Sequence, residues 1–291
     1  MKSICILLTD HQSINDLILK KSYSKLKKNK LKNIYFIGDQ RKFKHSFQIS
    51  KKCKNIFFIN VPMINNKLQY LKKITLLGIE LFYEKKINFL INMPLNKNKY
   101  LKNKYRGFTE FFSELFDKKI TSNMLLYNKN FSVCPLTTHI ELKKVEKEIT
   151  KKKIIDSVLN IFNFFNKNKK IKIEILGLNP HAGKDFVTPT IENKIISPTI
   201  KLLKKRKIPV CGPQSADSAF TNIKNKIFVG MYHDQVLIPF KTMNKFDGIN
   251  ITIGKRLIRM SPDHGTAENI KNIKHVNTKS FINCIKFCET Y

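Results

Sequence analysis

Three histidines stand where an apolar run gives way to a polar turn: His139 ends FSVCPLTTH, His181 sits in LGLNPHAG, and His233 follows VGMY. Such runs read as strands, and parallel strands would deliver all three imidazoles to one edge of a sheet. Three neutral imidazoles converging there would form a first shell for a catalytic divalent metal, with positions left open for substrate. Their spacings of 42 and 52 residues match no short zinc motif, so each one singly also reads as a strand cap or surface residue. The other four histidines, His11, His45, His264 and His275, do not share this context.

Further polar residues surround them. In MYHDQVLIPFK, His233, Asp234 and Gln235 separate two apolar runs, and Lys241 follows eight positions after the histidine. Burying an unpaired charge is costly, so this insertion requires partners. CGPQSAD brings Asp217 to another strand end, and Asn250 and Arg259 belong to the runs INITI and RLIRM. Lys241 and Arg259 are cations in apolar surroundings, suited to a phosphate or a carboxylate. Arg259 reads equally well as half of an ion pair. SPDHGTA (261–267) is a compact turn holding Asp263, His264, Gly265 and Thr266, and reads equally well as a plain turn with a helix cap at Thr266.

The elements that would carry these residues alternate. Residues 2–10, 33–39, 55–61 and 87–94 read as strands, and 68–86 reads as a helix with Leu71, Ile74, Gly78, Leu81 and Phe82 on one face. A helix over 154–165 leads into a strand over 170–178, then a helix over 195–207 and strands over 208–211 and 227–232. Strands separated by helices predict crossover units, a mostly parallel sheet and an α/β fold. No internal repeat is present, and the lysine-rich segment 96–104 is a candidate crossing between lobes.

At 291 residues with 42% hydrophobic content, the chain can fill one large α/β unit or two lobes. No apolar stretch is long enough for a membrane span, and the amino-terminal run reads as a first strand rather than a signal peptide. Six cysteines without a CxxC pair predict a reduced, cytoplasmic setting. The formal charge of +34 invites a nucleic-acid reading. Lysines spread over the whole chain among asparagines and isoleucines read instead as solvated faces shaped by an AT-rich coding bias. No RNA-binding aromatic signature, zinc finger or basic zipper accompanies them, so neither nucleic acid nor membrane is expected as a partner.

In this order, LTTH (136–139), LNPHAG (178–183), GPQSAD (212–217), YHDQVLIPFK (232–241), GINITIG (248–254) and RMSPDHGTA (259–267) resemble the 4-hydroxythreonine-4-phosphate dehydrogenase family of pyridoxal phosphate (vitamin B6) biosynthesis. PLNK (94–97) and GFTEFF (107–112) resemble its proline-x-asparagine-lysine and glycine-histidine-threonine-glutamate segments. The resemblance is dense from residue 94 to 267 and thin outside it. It implies a two-lobed α/β/α subunit related to isocitrate and isopropylmalate dehydrogenases, with residues 1–104 and 256–291 in one lobe and 105–255 in the other. It also implies a homodimer with the active site at the subunit interface, where His233 would serve the neighbour's metal.

By that resemblance His139, His181 and His233 hold the metal, which would be zinc, with magnesium or cobalt as alternatives. Thr109, Lys241, Asn250 and Arg259 contact a small phosphorylated substrate. Asp217, Asp234 and Lys241 serve catalysis, and Asp263, His264, Gly265 and Thr266 lie at the NAD or NADP cofactor. The implied reaction is oxidation of 4-phosphohydroxy-L-threonine at its 3-hydroxyl, then decarboxylation to 3-amino-2-oxopropyl phosphate. The same chemistry on a threonate or erythronate phosphate, or a non-catalytic family member, is the alternative.

The chain departs from the family pattern in four places. The first loop, TDHQSIND (9–16), has no glycine, and Phe108 replaces a histidine. Lys184, Asp185 and Phe186 follow LNPHAG, while Glu268, Asn269 and Lys271 follow DHGTA. With all three histidines kept, these changes predict a reaction that is retained but slower or looser.

Overall fold

Ile4–Leu7 is apolar on every residue because both faces of this strand are covered, and all four residues are buried. The computed structural model describes residues 1–291 except Asn103, Arg106, Lys167, Asn168, Lys169 and Lys271. The expectation attached to Lys271 therefore lies outside the described residues. The chain divides into two compact units: Met1–Lys119 with Phe246–Ile251 and Arg256–Tyr291, and Ile120–Lys245 with Thr252–Lys255.

The first unit holds β1 (Ile4–Leu7), β2 (Ile34–Gly38), β3 (Ile56–Asn60), β4 (Phe89–Asn92) and β11 (Ile258–Pro262), in the order β3-β2-β1-β4-β11. Each of these neighbouring pairs is parallel. The next strand, β10 (Ile249–Ile253), divides between the units after Ile251. The predicted helix over 68–86 is Lys67–Tyr83, opened by Asn66, whose side chain accepts from the Gln69 N–H. Its buried face includes Leu71, Ile74, Gly78 and Leu81 as expected, whereas Phe82 is only partly covered. A Cβ on Gly78 would lie 2.8 Å from Leu90 Cδ1, so glycine lets this helix approach β4 closely.

Residues 105–119 and 246–251, expected with the second lobe, lie with the first unit. For 105–119 the reason is packing: Phe108, Phe111, Phe112 and Phe116 join Tyr70, Leu71 and Ile74 in one buried cluster. Burying each such side chain contributes roughly 1.5–3 kcal/mol, and the lysine-rich stretch before them is no crossing between lobes: Lys97–Leu101 is a helix of the same unit with Tyr100 and Leu101 buried.

The second unit holds β5 (Asn123–Tyr127), β6 (Ser132–Pro135), β7 (Lys172–Leu176), β8 (Val210–Gln214) and β9 (Lys226–Gly230), in the order β5-β6-β9-β7-β8. β5 and β6 pair antiparallel, while β6–β9, β9–β7 and β7–β8 are parallel. The α/β class with mostly parallel strands is as the sequence predicted. The helix predicted over 154–165 is Lys151–Phe164, opened by Thr150, and the one over 195–207 is Ser197–Lys205 after a π turn at Glu192–Ile196. VLIPFK, the second of the two apolar runs, is helical. It belongs to a helix, His233–Asn244, whose internal Pro239 masks the helical pattern in the sequence.

Candidate functional site

β6, β9 and β7 are neighbours in register, with Pro135 opposite Gly230 and Ile175 opposite Val229. His139, His233 and His181 each follow one of these strands, so their chain segments leave the sheet at its carboxyl edge. The pairing of β6 with β9 continues past the strands: Leu136 N donates to Gly230 O at 2.7 Å, and Thr137 Oγ1 to Met231 O at 2.7 Å. His139 then adopts a left-handed backbone (φ 45°). Its ring centroid lies 5.5 Å from that of His233, the first residue of the helix His233–Asn244. Both rings border a cleft of ≈ 320 Å³ that Thr138, Tyr232 and Asp234 also line.

The residues after His233 divide the work between them. Asp234 Oδ1 sits 2.6 Å from His233 Nδ1, an arrangement that fixes the ring and leaves Nε2 to accept a ligand. Gln235 staples two strand ends: its Oε1 accepts from Met231 N at 2.7 Å, and its Nε2 donates to Gly177 O at 2.7 Å. Lys241 does not sit in apolar surroundings. It is exposed near the end of the helix, next to buried Phe240, because consecutive helical residues point about 100° apart.

His181 is presented differently. It begins a left-handed turn in which His181, Ala182 and Gly183 have φ of 50°, 56° and 74°. Glu192, buried beneath, holds the turn: Oε1 accepts from Leu178 N and Asn179 N, both at 2.8 Å, and Oε2 accepts from Asn179 Nδ2 at 3.1 Å. Burial alone would raise the Glu192 carboxyl. The hydrogen bonds from Asn179 and Thr190 outweigh it and hold the group below its ordinary value. A Cβ on Gly183 would meet Thr190 Oγ1 at 2.5 Å and Glu192 Oε2 at 2.8 Å.

His181 Nδ1 pairs with Asp185, and that hydrogen bond, with the charges of Asp185 and then Asp217, raises the imidazole above its ordinary value. Asp217 is exposed. Ser215 Oγ donates to it at 2.6 Å, which keeps its carboxyl low.

Among the described residues no three His, Cys, Asp or Glu side chains are gathered tightly enough to hold a metal ion. His139 and His233 are brought together; His181 is not brought to them. The donor chemistry nevertheless suits a nitrogen-ligated divalent metal. Two imidazoles lie side by side, and carboxylates back the Nδ1 atoms of His233 and His181.

In the first unit Arg259, on β11, is 2% exposed. Its Nε donates to Asn92 Oδ1 at 2.5 Å and its Nη1 to Thr109 Oγ1 at 3.3 Å. The guanidinium carbon lies 4.7 Å from the centroid of the Phe108 ring. Burial pulls its pKa down to about 9, which still leaves it charged at neutral pH. Thr109 and Arg259 are thus brought together. Asn250, on β10, carries a buried Oδ1 without a hydrogen-bond partner.

The DHGTA turn is anchored by Asp263 N, which donates to Ser280 Oγ at 2.7 Å. His264 Nδ1 faces Gly265 O at 2.8 Å, while its Nε2 is buried without a partner and burial lowers its pKa. Ile14 N donates to Thr266 O at 3.1 Å, tying the glycine-free first loop to this turn. Within that loop Thr9 Oγ1 donates to Met93 O and Pro94 O, and Asp10 Oδ2 accepts from Asn96 N. Side-chain hydrogen bonds hold the loop where flexible glycines would otherwise be expected.

The second unit carries imidazoles beyond the carboxyl ends of parallel strands, the edge where open α/β sheets take their ligands, and the first unit, also α/β, carries a buried arginine. Residues 6–288 match the model of the family described as "Pyridoxal phosphate biosynthetic protein PdxA", and the chain belongs to that family. It is 42% identical over 198 residues to the 4-hydroxythreonine-4-phosphate dehydrogenase of Sulfurihydrogenibium sp. (strain YO3AOP1), covering 65% of this chain and 61% of the relative.

Across three such relatives the match spans 61–65% of their length. The 4-hydroxythreonine-4-phosphate dehydrogenase crystal structure from Klebsiella pneumoniae superposes with a TM-score of 0.80 at 23% identity, covering 99% of this chain and 97% of that one. Isocitrate dehydrogenase from Methylococcus capsulatus shares the fold more distantly, with a TM-score of 0.54 at 10% identity over 98% of this chain and 84% of that one.

Proposed function

We propose that this chain oxidises 4-phosphohydroxy-L-threonine at its 3-hydroxyl with a nicotinamide cofactor and decarboxylates the product to 3-amino-2-oxopropyl phosphate. The observation that carries this reading is the meeting of His139 and His233 at the ends of adjacent parallel strands, in a chain of this family. His139, His233 and His181 hold a divalent metal, with zinc favoured by the nitrogen donors; when bound, it acts as a Lewis acid that lowers the pKa of a substrate hydroxyl. Because His139 and His233 meet within one chain while His181 stands apart, the set is completed in a homodimer with His181 as the neighbour's ligand, rather than His233 as the resemblance implies. Asp263, His264, Gly265 and Thr266 hold the nicotinamide cofactor, which takes the hydride.

The remaining roles follow from each residue's setting. Arg259, fixed by Asn92 and Thr109 and still charged, pairs with an anionic group of the substrate. Asn250 offers a buried amide oxygen to a substrate donor. Lys241, exposed and cationic, takes a phosphate. Asp234 orients His233, and Asp217, kept ionised by Ser215, accepts the proton released from the hydroxyl. Loss of carbon dioxide from the β-keto acid then leaves electrons that the same cations stabilise. A cytoplasmic location suits this chemistry, and among the described residues no helix is long and apolar enough to cross a membrane.

Phe108 favours a second reading, the same chemistry on a threonate or erythronate phosphate. Its ring stacks on Arg259 and offers no hydrogen bond where the family has a histidine. Purified protein supplied with divalent metal and NAD or NADP should form the reduced cofactor with 4-phosphohydroxy-L-threonine, and His181→Ala should lose that turnover. Turnover only with threonate or erythronate phosphate would select the second reading. No turnover with any of them would remove both, and a non-catalytic member of the family would remain.

A further inference from the structure

We propose that the cavity lined by His11, Lys42 and His45 in the first unit is a phosphate-monoester site, and that through it the chain selects a nicotinamide dinucleotide bearing a 2′-phosphate over one with a free 2′-hydroxyl. This deepens the reading above and rests on its assignment of the cofactor to the DHGTA turn. The cavity, ≈ 450 Å³, is large enough for the nucleotide end of such a ligand. Gln12, Ser13, Asp16, Glu268 and Ile270 complete much of its wall. Ile14 N, in the same loop as His11, bonds to Thr266 O, so the cavity adjoins the turn proposed for the cofactor.

The charges in the wall decide what the site can hold. Two carboxylates line it, and both are engaged. Asp16 accepts from His45 N, Ser46 N and Ser46 Oγ at 3.0, 2.9 and 2.6 Å, and so caps the helix Lys44–Lys52. Glu268 accepts from Asn96 Nδ2 at 2.9 Å and Lys99 Nζ at 2.8 Å. Glu268 is paired with the Lys99 ammonium and Asp16 is spent on three donors of the helix, so neither stands in the wall as a bare negative charge opposing a phosphate.

The cationic side of the wall is uncommitted. Among the described residues no carboxylate lies within 4.0 Å of the exposed Lys42 ammonium. His11 Nδ1 is shut off from solvent without a hydrogen-bond partner, an orphaned group facing no protein atom that satisfies it. Burial holds the His11 imidazole low, which an approaching dianion would reverse. A phosphate monoester carries about −1.5 to −2 charges at neutral pH and needs several donors, which one ammonium and two imidazoles supply.

Calorimetric titration of the purified protein with NADP and, separately, with NAD tests this. NADP should bind about tenfold or more tightly than NAD, a difference of ~1.4 kcal/mol. In Lys42→Glu, an exposed substitution, that ratio should fall to parity or invert, with the affinity for NAD nearly unchanged. Equal affinities in the wild type, tighter NAD, or a ratio untouched by Lys42→Glu would overturn the phosphate site while leaving the nicotinamide assignment standing. If neither dinucleotide binds, both assignments fall together.

Discussion

The Arg259 guanidinium rests on the face of the Phe108 ring, 4.7 Å from its centroid, with both side chains almost wholly removed from solvent. Phe108 is therefore more than a lost hydrogen-bond donor: it is the floor beneath the buried cation. A double-mutant cycle of Phe108→Leu and Arg259→Met should give a coupling of about 0.5–2 kcal/mol in urea unfolding, as expected of a desolvated cation–π pair. Additive single effects would mean that the ring acts only as packing.

Glu192 gives the His181 turn a pH-dependent footing. Its carboxyl in the folded chain lies below the ordinary 4.5, so its stabilisation is fully present above that value and is lost as pH falls through the lower folded pKa. Glu192→Gln should cost about 1–3 kcal/mol at neutral pH, because buried donors on Leu178 and Asn179 lose a charged acceptor. As pH falls below 4.5 the gap between wild type and variant should narrow, and it should close only beneath the lower folded pKa. A gap that stays constant in acid unfolding would show that the charge of Glu192 contributes nothing.

Much of the fold was legible because buried parallel strands are continuous apolar runs and the helices between them keep a helical period. The helix His233–Asn244 was not, since Pro239 breaks the expected pattern. The polar ends of those runs marked the histidines. They could not mark Glu192, eleven residues beyond His181 at the start of the π turn, because nothing periodic ties it to the left-handed turn it supports. Asp185 had a signal, standing four residues after His181, and Gln235 lay within the segment already singled out. Distinguishing a strand staple from a reacting group required the atoms it bonds, which spacing does not reveal.

Gln235 makes a separate claim testable. Gln235→Leu leaves Met231 N and Gly177 O without their partners and should destabilise the second unit by about 1–3 kcal/mol. Gln235→Glu can still accept from Met231 N, yet at neutral pH its carboxylate repels the Gly177 carbonyl, and protonation in acid restores a donor. The glutamate variant should therefore recover towards wild-type stability as pH falls, whereas the leucine variant should not. Equal behaviour of the two in thermal unfolding against pH would remove the staple.

The separation of His181 from the His139–His233 pair predicts how metal sites respond when variant chains are mixed. If the third imidazole comes from another copy, His139→Ala and His181→Ala homodimers should each lose tight cobalt binding. A heterodimer of the two would contain one site with all three rings intact, one chain supplying His139 and His233 and the other His181. Unfolding and refolding an equal mixture should then restore about a quarter of the wild-type sites, half the dimers being mixed and each holding one good site of two. Cobalt absorption reads this directly, without substrate or cofactor. If all three ligands belonged to one chain, or if His233 rather than His181 came from the other copy, every site in the mixture would carry an alanine, and no amount of exchange would bring the signal back.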